Sequence, residues 1–195
     1  MRRIHLLFII AVISASSLLC QAGVAVAPAF LNQILQSAQH DPSFNITYAR
    51  NGCFVRAHWL AEKIHSIGYT PVKLFIHSQQ LNQKINVQLS SAVSYQWVFH
   101  VAAGYKDAQG QIWVLDPVLS GGILSIEKWK DIIKSNNKNI SLQIDLTSAS
   151  VYQFDPLANA EWSQIASAGP FSADAMAFVN DAMADLFTWE QAERN

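Results

Sequence analysis

The chain has 195 residues, with 13 Lys and Arg against 14 Asp and Glu and a formal net charge of −1. The basic residues are scattered rather than gathered into a stripe, so nothing in the charge pattern asks for nucleic acid or anionic lipid. Six tryptophans and ten phenylalanines exclude a disordered chain, and no internal repeat or Pro/Gly-rich linker divides it.

Met1-Arg2-Arg3 precedes an apolar run from Leu6 to Leu19 that only Ser14, Ser16 and Ser17 interrupt, and small residues follow at Ala22, Gly23, Ala25 and Ala27. This pattern reads as a secretory signal peptide over residues 1–25, cleaved near Ala22 or Ala25. The run is short for a bilayer crossing, so a retained anchor is the weaker reading, and no stable membrane span is expected after cleavage. Cys20 follows the bulky Leu19 rather than a small residue, which argues against lipid attachment, and it leaves with the signal. The expectation is a secreted or periplasmic protein whose residues 26–195 form one catalytic domain. Cys53 then has no partner in an oxidising compartment, and an unpaired thiol there needs an explanation.

Apolar spacing at Phe30-Leu31, Ile34-Leu35 and Ala38 predicts a helix from about Pro28 to Gln39. A second apolar face, Phe54, Ala57, Leu60, Ala61, Ile64 and Ile67, runs from Asn51-Gly52-Cys53 to a terminating Gly68, so Cys53 opens a helix. Val72 to Ile76 reads as a strand, a short strand is expected around Val87 and Leu89, and Tyr95 to Ala103 reads as one longer strand. Gln111 to Asp116 returns from it as a hairpin. Ser125 caps a predicted helix over Ile126 to Lys134, Leu142 to Leu146 alternates like a strand, and Ser172 begins a long helix towards Glu190. The fold class is α+β, with the cysteine-bearing helix packed on an antiparallel sheet.

A thiol in the first turn of a helix faces unsatisfied backbone N–H groups and the positive dipole end, which favour a thiolate and can hold an oxyanion. It needs a proton donor for the leaving group, and the histidines are the candidates. His5 departs with the signal, His40 lies in a turn, and His58 and His65 ride on the cysteine's own helix, where His58 points away from Cys53. His77 sits at a strand end. His100 and Asp116 average to position 108, the middle of the turn segment Lys106 to Gly110, which predicts that they lie directly opposite each other on one face of the hairpin. Cβ atoms in such pairs are roughly 4.5–5.5 Å apart, close enough for a carboxylate to fix an imidazole. The candidate catalytic residues are Cys53, His100 and Asp116, provided the tip of the cysteine's helix meets that face.

Three segments carry a resemblance to a known family. Asn51-Gly52-Cys53-Phe54-Val55-Arg56-Ala57-His58 resembles the Gly-Cys-aromatic-x-Arg-Ala-His stretch around the nucleophile of bacterial protein-glutaminases. Trp97-Val98-Phe99-His100-Val101-Ala102 is similar to that family's Trp-x-Tyr-His-Val-Ala strand, and Val114-Leu115-Asp116-Pro117 to its Val-Ile-Asp-Pro strand. The resemblance implies a papain- and transglutaminase-like core that hydrolyses glutamine side-chain amides in proteins or peptides through a thioester. It implies no metal or organic cofactor. By matching positions, Cys53 is the nucleophile, His100 the acid and base, and Asp116 its orienter. Trp97 is a substrate-binding or oxyanion candidate, while Arg56 and His58 are read as structural support. About 30 residues separate the expected cleavage point from Cys53, shorter than the pro-segments of that family, so activation by pro-segment removal is not expected. The family's structural disulfides have no counterpart, and the segment from Ser148 has no matching motif. A transglutaminase or cysteine protease with the same triad is the alternative chemistry. A non-catalytic binding protein on the same fold is the alternative class, and it predicts a sealed Cys53 far from His100.

Overall fold

The computed structural model describes residues 26–80, 83–91, 93–154, 162–164 and 169–194; the expected signal peptide at residues 1–25 lies outside the described residues. In chain order, helices α1 (Ala29–His40) and α2 (Cys53–Ser66) lead into strands β1 (Pro71–Ser78), β2 (Ile85–Gln88) and β3 (Ser94–Trp97). Strands β4 (Phe99–Lys106), β5 (Ile112–Leu115) and β6 (Ile123–Ser125) follow, then α3 (Ile126–Ser135) and β7 (Leu142–Ser148). The described elements end with β8 (Val151–Phe154), β9 (Trp162–Gln164) and α4 (Ala173–Arg194). The predicted helices all form, and Ser125 caps α3 by accepting the Lys128 N–H.

A five-stranded sheet in the order β6-β5-β4-β1-β7, with every pairing antiparallel, organises these elements. Strand residues alternate between its faces. Ala103, Trp113 and Leu115 pack with α1, α2 and α4, and Phe75 and Val101 pack with Ala57 of α2. Leu74, Ile76, Ala102 and Val114 pack on the opposite face against Trp129 and Ile133 of α3 and against the small β2-β3 sheet. Both faces of the central strands are therefore covered, which explains the nearly unbroken apolar run in β1. Among the described residues no helix is long and apolar enough to cross a membrane.

Two expectations about the strands need correction, and both bear on the site. The single strand expected over Tyr95 to Ala103 breaks at the partly exposed Val98, so that β3 pairs with β2 while β4 enters the large sheet between β1 and β5. The cause is visible in the side chains. Trp97 and His100 stack with ring centroids 4.4 Å apart, and residues three apart cannot share a face of a regular strand without a bend between them.

The hairpin register is also two positions off the predicted one. Ala103 pairs with Leu115 and Lys106 with Ile112, so His100 is not directly opposite Asp116. The loop is a turn in which the Gly110 N–H bonds the Asp107 carbonyl, followed by Gly110 itself at φ +84°, and this left-handed residue moves the centre of the hairpin to position 109. Asp107 Oδ1 holds the loop by accepting from the Gln109 and Gln111 N–H groups. Because the shift is by two, the parity of every side chain is preserved and His100 and Asp116 remain on one side, as diagonal neighbours.

Candidate active site

Cys53 begins α2 because Gly52 can turn the chain there. Gly52 sits at φ +79°, its N–H bonds the Asn51 side chain at 2.8 Å, and its carbonyl accepts the first helical bond, from the Arg56 N–H at 3.1 Å. A Cβ at this position would lie 2.5 Å from the Leu186 side chain of α4, so glycine is required by space as well as by backbone angle.

The loop before it is clamped from two sides. The buried Arg56 guanidinium donates to the Asn45, Tyr48 and Asn51 carbonyls at 3.2, 3.0 and 2.9 Å, bearing out its reading as structural support. From the other side α4 offers two carboxylates: Glu190 accepts from Asn45 and Thr47, and Glu193 accepts from the Tyr48 hydroxyl and pairs with Arg50. Cys53 itself is half-buried.

His100 and Asp116 lie just beyond the point where the β4-β5 ladder ends, and both are buried. His100 Nε2 donates to Asp116 Oδ2 at 2.6 Å, which leaves Nδ1 as the nitrogen for other work. Nδ1 is buried without a hydrogen-bond partner, and the neighbouring group that acts on the ring besides Asp116 is the Cys53 thiol. Cys53, His100 and Asp116 together line a void of about 10 Å³. The body of α2 packs on the face of the sheet opposite to the one carrying His100. Its tip meets the imidazole beyond the last β4-β5 pair, Ala103 with Leu115.

Asp116 is held by more than the histidine. The Trp129 indole N–H of α3 donates to Oδ2 at 2.8 Å, and the Leu119 N–H donates to Oδ1 at 3.3 Å. Burial works against ionising the carboxyl, but the charge and hydrogen bond of His100, with Trp129 and Leu119, hold it below the usual carboxylate range. Burial likewise opposes charging His100, yet the Asp116 carboxylate, with Cys53 adding, holds the ring up at about 9. Trp129 is absent from the sequence-based site. Its signal was the polar end of a tryptophan on the apolar face of α3, since a buried indole N–H needs an acceptor.

The other histidines are occupied elsewhere. His58 is fully buried and bonds the Pro170 carbonyl through Nε2 at 2.7 Å and Lys73 Nζ through Nδ1 at 2.7 Å. His77 pairs with Asp145 at 2.8 Å on the sheet, and His40 bonds the Gln36 carbonyl. Among the described residues no group of three or more His, Cys, Asp or Glu is arranged to hold a metal ion.

Outside these three residues a groove of about 240 Å³ opens onto Cys53. Arg50, Asn51 and Phe54 line one wall, and Lys84, Gln96, Trp97 and Val98 belong to the other. Trp97 is buried except for this surface, and no acceptor among the described residues takes its indole N–H. The arrangement can therefore present a sulfur nucleophile, an imidazole with one free nitrogen, and N–H donors to a carbonyl entering from the groove.

Comparison with known proteins agrees with this fold. A family model described as glutaminase matches residues 28–133, more than half of the chain, and the matched stretch holds Cys53, Trp97, His100, Asp116 and Trp129. The chain is similar to the solution structure of protein-glutaminase from Chryseobacterium proteolyticum at 21% identity, covering 70% of this chain and 78% of that one, with a TM-score of 0.55. It is similar to a crystal structure of protein-glutaminase at 19% identity, covering 79% and 83%, with a TM-score of 0.58. A crystal structure of pro-protein-glutaminase matches at 20% identity and a TM-score of 0.55 over 70% of this chain and 51% of that one. No curated protein matches. At these identities the likeness establishes the shared fold, helices packed on an antiparallel sheet.

Proposed function

The chain belongs to the glutaminase family, and from that premise we propose that it deamidates glutamine side chains of proteins or peptides to glutamate, with Cys53, His100 and Asp116 as its catalytic triad. The observation that carries the reading is the placement of Cys53 at a helix tip beside the free nitrogen of an imidazole that a buried carboxylate orients.

In this mechanism the Cys53 sulfur, as thiolate, attacks the amide carbon and the carbonyl oxygen becomes an oxyanion. The Cys53 backbone N–H and the unpaired Trp97 indole N–H stabilise that charge. His100, kept protonated by Asp116, gives its Nδ1 proton to the departing ammonia, and the carbon–nitrogen bond breaks to leave a thioester. His100 then takes a proton from water, the hydroxide attacks the thioester, and glutamate and the thiolate are released. No step calls for a metal or organic cofactor.

The acceptor decides between this reaction and its relatives, since an acyl-enzyme can pass to water, to an amine, or arise from a peptide bond. The test incubates the chain with a glutamine-rich protein and follows ammonia, peptide fragments and crosslinks together. Ammonia without fragments or crosslinks is expected. Fragments would make the protein a protease and crosslinks a transglutaminase, while no product of any kind would leave the binding-protein reading in its place.

Export completes the proposal: the charged and apolar pattern of residues 1–25 supports secretion or a periplasmic location, with residues 26–195 as the working domain. N-terminal sequencing of the exported protein is expected to read from a residue just after Ala22 or Ala25. A start at Met1 in a membrane fraction would refute it.

A further inference from the structure

The triad accounts for the floor of the groove but not for its rim. Of the residues that line it, two are charged, Arg50 and Lys84, and both are cationic. A glutamine side chain is neutral and the proposed chemistry uses neither group, so what they meet is the polypeptide on either side of the glutamine. We propose that Arg50 and Lys84 form a cationic rim that selects glutamines flanked by acidic residues. The inference rests on the reading of the site as a glutamine deamidase and narrows its substrate class.

Both cations are placed by the fold. Arg50 extends from the loop that Arg56 stitches from below, and its guanidinium pairs with Glu193 of α4 at 2.9 Å, which aims it while leaving the side chain 62% exposed. Lys84 stands one residue before β2. The first residue of β2, Ile85, pairs with Trp97, whose ring stacks on His100, so Lys84 stands at the end of the β2-β3 ladder nearest the active-site histidine. Lys84 is exposed and has no ion-pair partner among the described residues. Phe54, Trp97, Val98 and Phe99 supply apolar surface between the two cations, so a flanking carboxylate meets charge at the rim while its stem lies on aromatic and aliphatic groups.

Two solvent-exposed cations acting on one or two flanking carboxylates are together expected to change the affinity by about tenfold at low ionic strength, and screening removes most of the effect in high salt. Because the charges act on binding rather than on the reacting atoms, the preference falls on KM and not on kcat.

The test uses three peptides that differ only in the residues beside one central glutamine: two aspartates, two serines or two lysines. Their binding to the Cys53→Ala chain is measured by fluorescence anisotropy, and kcat/KM for ammonia release is measured with the wild-type chain. The aspartate peptide is expected to bind about tenfold more tightly than the lysine peptide, with the same order in kcat/KM. Lys84→Glu and, separately, Arg50→Gln are expected to reduce the ratio, and salt to flatten it. Ammonia released equally from all three peptides, or a ratio that neither substitution alters, would overturn the rim while leaving the deamidase reading intact. A charge preference in binding with no ammonia from any peptide would uphold the rim and refute the reaction.

Discussion

Asp116→Asn is expected to lower kcat for ammonia release by about 10³- to 10⁴-fold, and Cys53→Ala or His100→Ala to reduce it to background. The asparagine fills the same volume, so the fold survives, but its amide cannot serve the partners of the carboxylate. Oδ2 accepts from both His100 Nε2 and the Trp129 indole N–H, and Oδ1 accepts from the Leu119 N–H. An asparagine with its oxygen towards His100 and Trp129 turns its NH₂ on the Leu119 N–H. Reversed, it sets NH₂ against the indole N–H and drives the imidazole into the tautomer with hydrogen on Nδ1, which can no longer accept a proton from the thiol or from water. In either orientation the negative charge that holds His100 up at about 9 is gone. The pH profile supplies a second readout. The proposed acid must be protonated, so wild-type kcat/KM is expected to fall on the alkaline side near 9, and this limb should move to lower pH in Asp116→Asn, towards the ordinary histidine value of 6.5. Retention of more than a tenth of the activity, or an unmoved alkaline limb, would remove Asp116 from its proposed role.

The parts of this site that a linear reading reaches are those with short-range signatures. Cys53 stands out as a lone thiol after Asn51-Gly52, and a hairpin joins His100 to Asp116 through a recognisable turn. The error of two in that register came from centring the loop on position 108: Gly110, in its left-handed conformation, belongs to the turn and sets the centre at 109, a property that spacing alone does not encode. Trp129 signals that its buried indole N–H needs an acceptor, but not which one. Its partner Asp116 is brought to it by the packing of α3 under the sheet, and nothing local to Ile126-Glu127-Lys128-Trp129 marks that contact. The bend at Val98, which lets Trp97 stack on His100, similarly answers to the two sheets competing for one continuous β-prone stretch. Lys73 is the instructive omission. A strand reading Val72-Lys73-Leu74-Phe75-Ile76 has apolar residues at both parities, which marks a strand covered on both faces, and a lysine within it must then be buried and partnered.

That lysine sets the second large effect: His58→Ala is expected to destabilise the chain by about 3–5 kcal/mol at pH 7 in urea unfolding. Lys73 Nζ is fully buried between His58 Nδ1 at 2.7 Å and the Val151 carbonyl at 2.6 Å. With the ammonium as donor, Nδ1 must accept, so the His58 proton sits on Nε2 and is given to the Pro170 carbonyl at 2.7 Å. One chain of hydrogen bonds thus ties α2, the helix that Cys53 opens, to β1, to β8 and to the segment leading into α4. Burial lowers Lys73 from 10.5 to about 7, and burial together with the Lys73 charge lowers His58 from 6.5 to about 4. A base with a depressed folded-state pKa binds fewer protons when folded, so stability falls as pH drops through the gap between its unfolded and folded values. For Lys73 that gap runs from 10.5 to 7, where the raised His100 opposes it by losing its own stabilisation as pH rises towards 9. Between 6.5 and 4.5 His58 is the group that remains, since the carboxylates with lowered values titrate below that window. Stability is therefore expected to decline over this interval, towards a loss of ~3 kcal/mol at full protonation, and to be flat there in His58→Ala. Replacing both partners, as Lys73→Met with His58→Leu, removes the buried charge with its acceptor and is expected to recover part of the loss. A His58→Ala chain within 1 kcal/mol of wild type, or one that keeps the acid decline, would show that the pair does not hold α2 against the sheet.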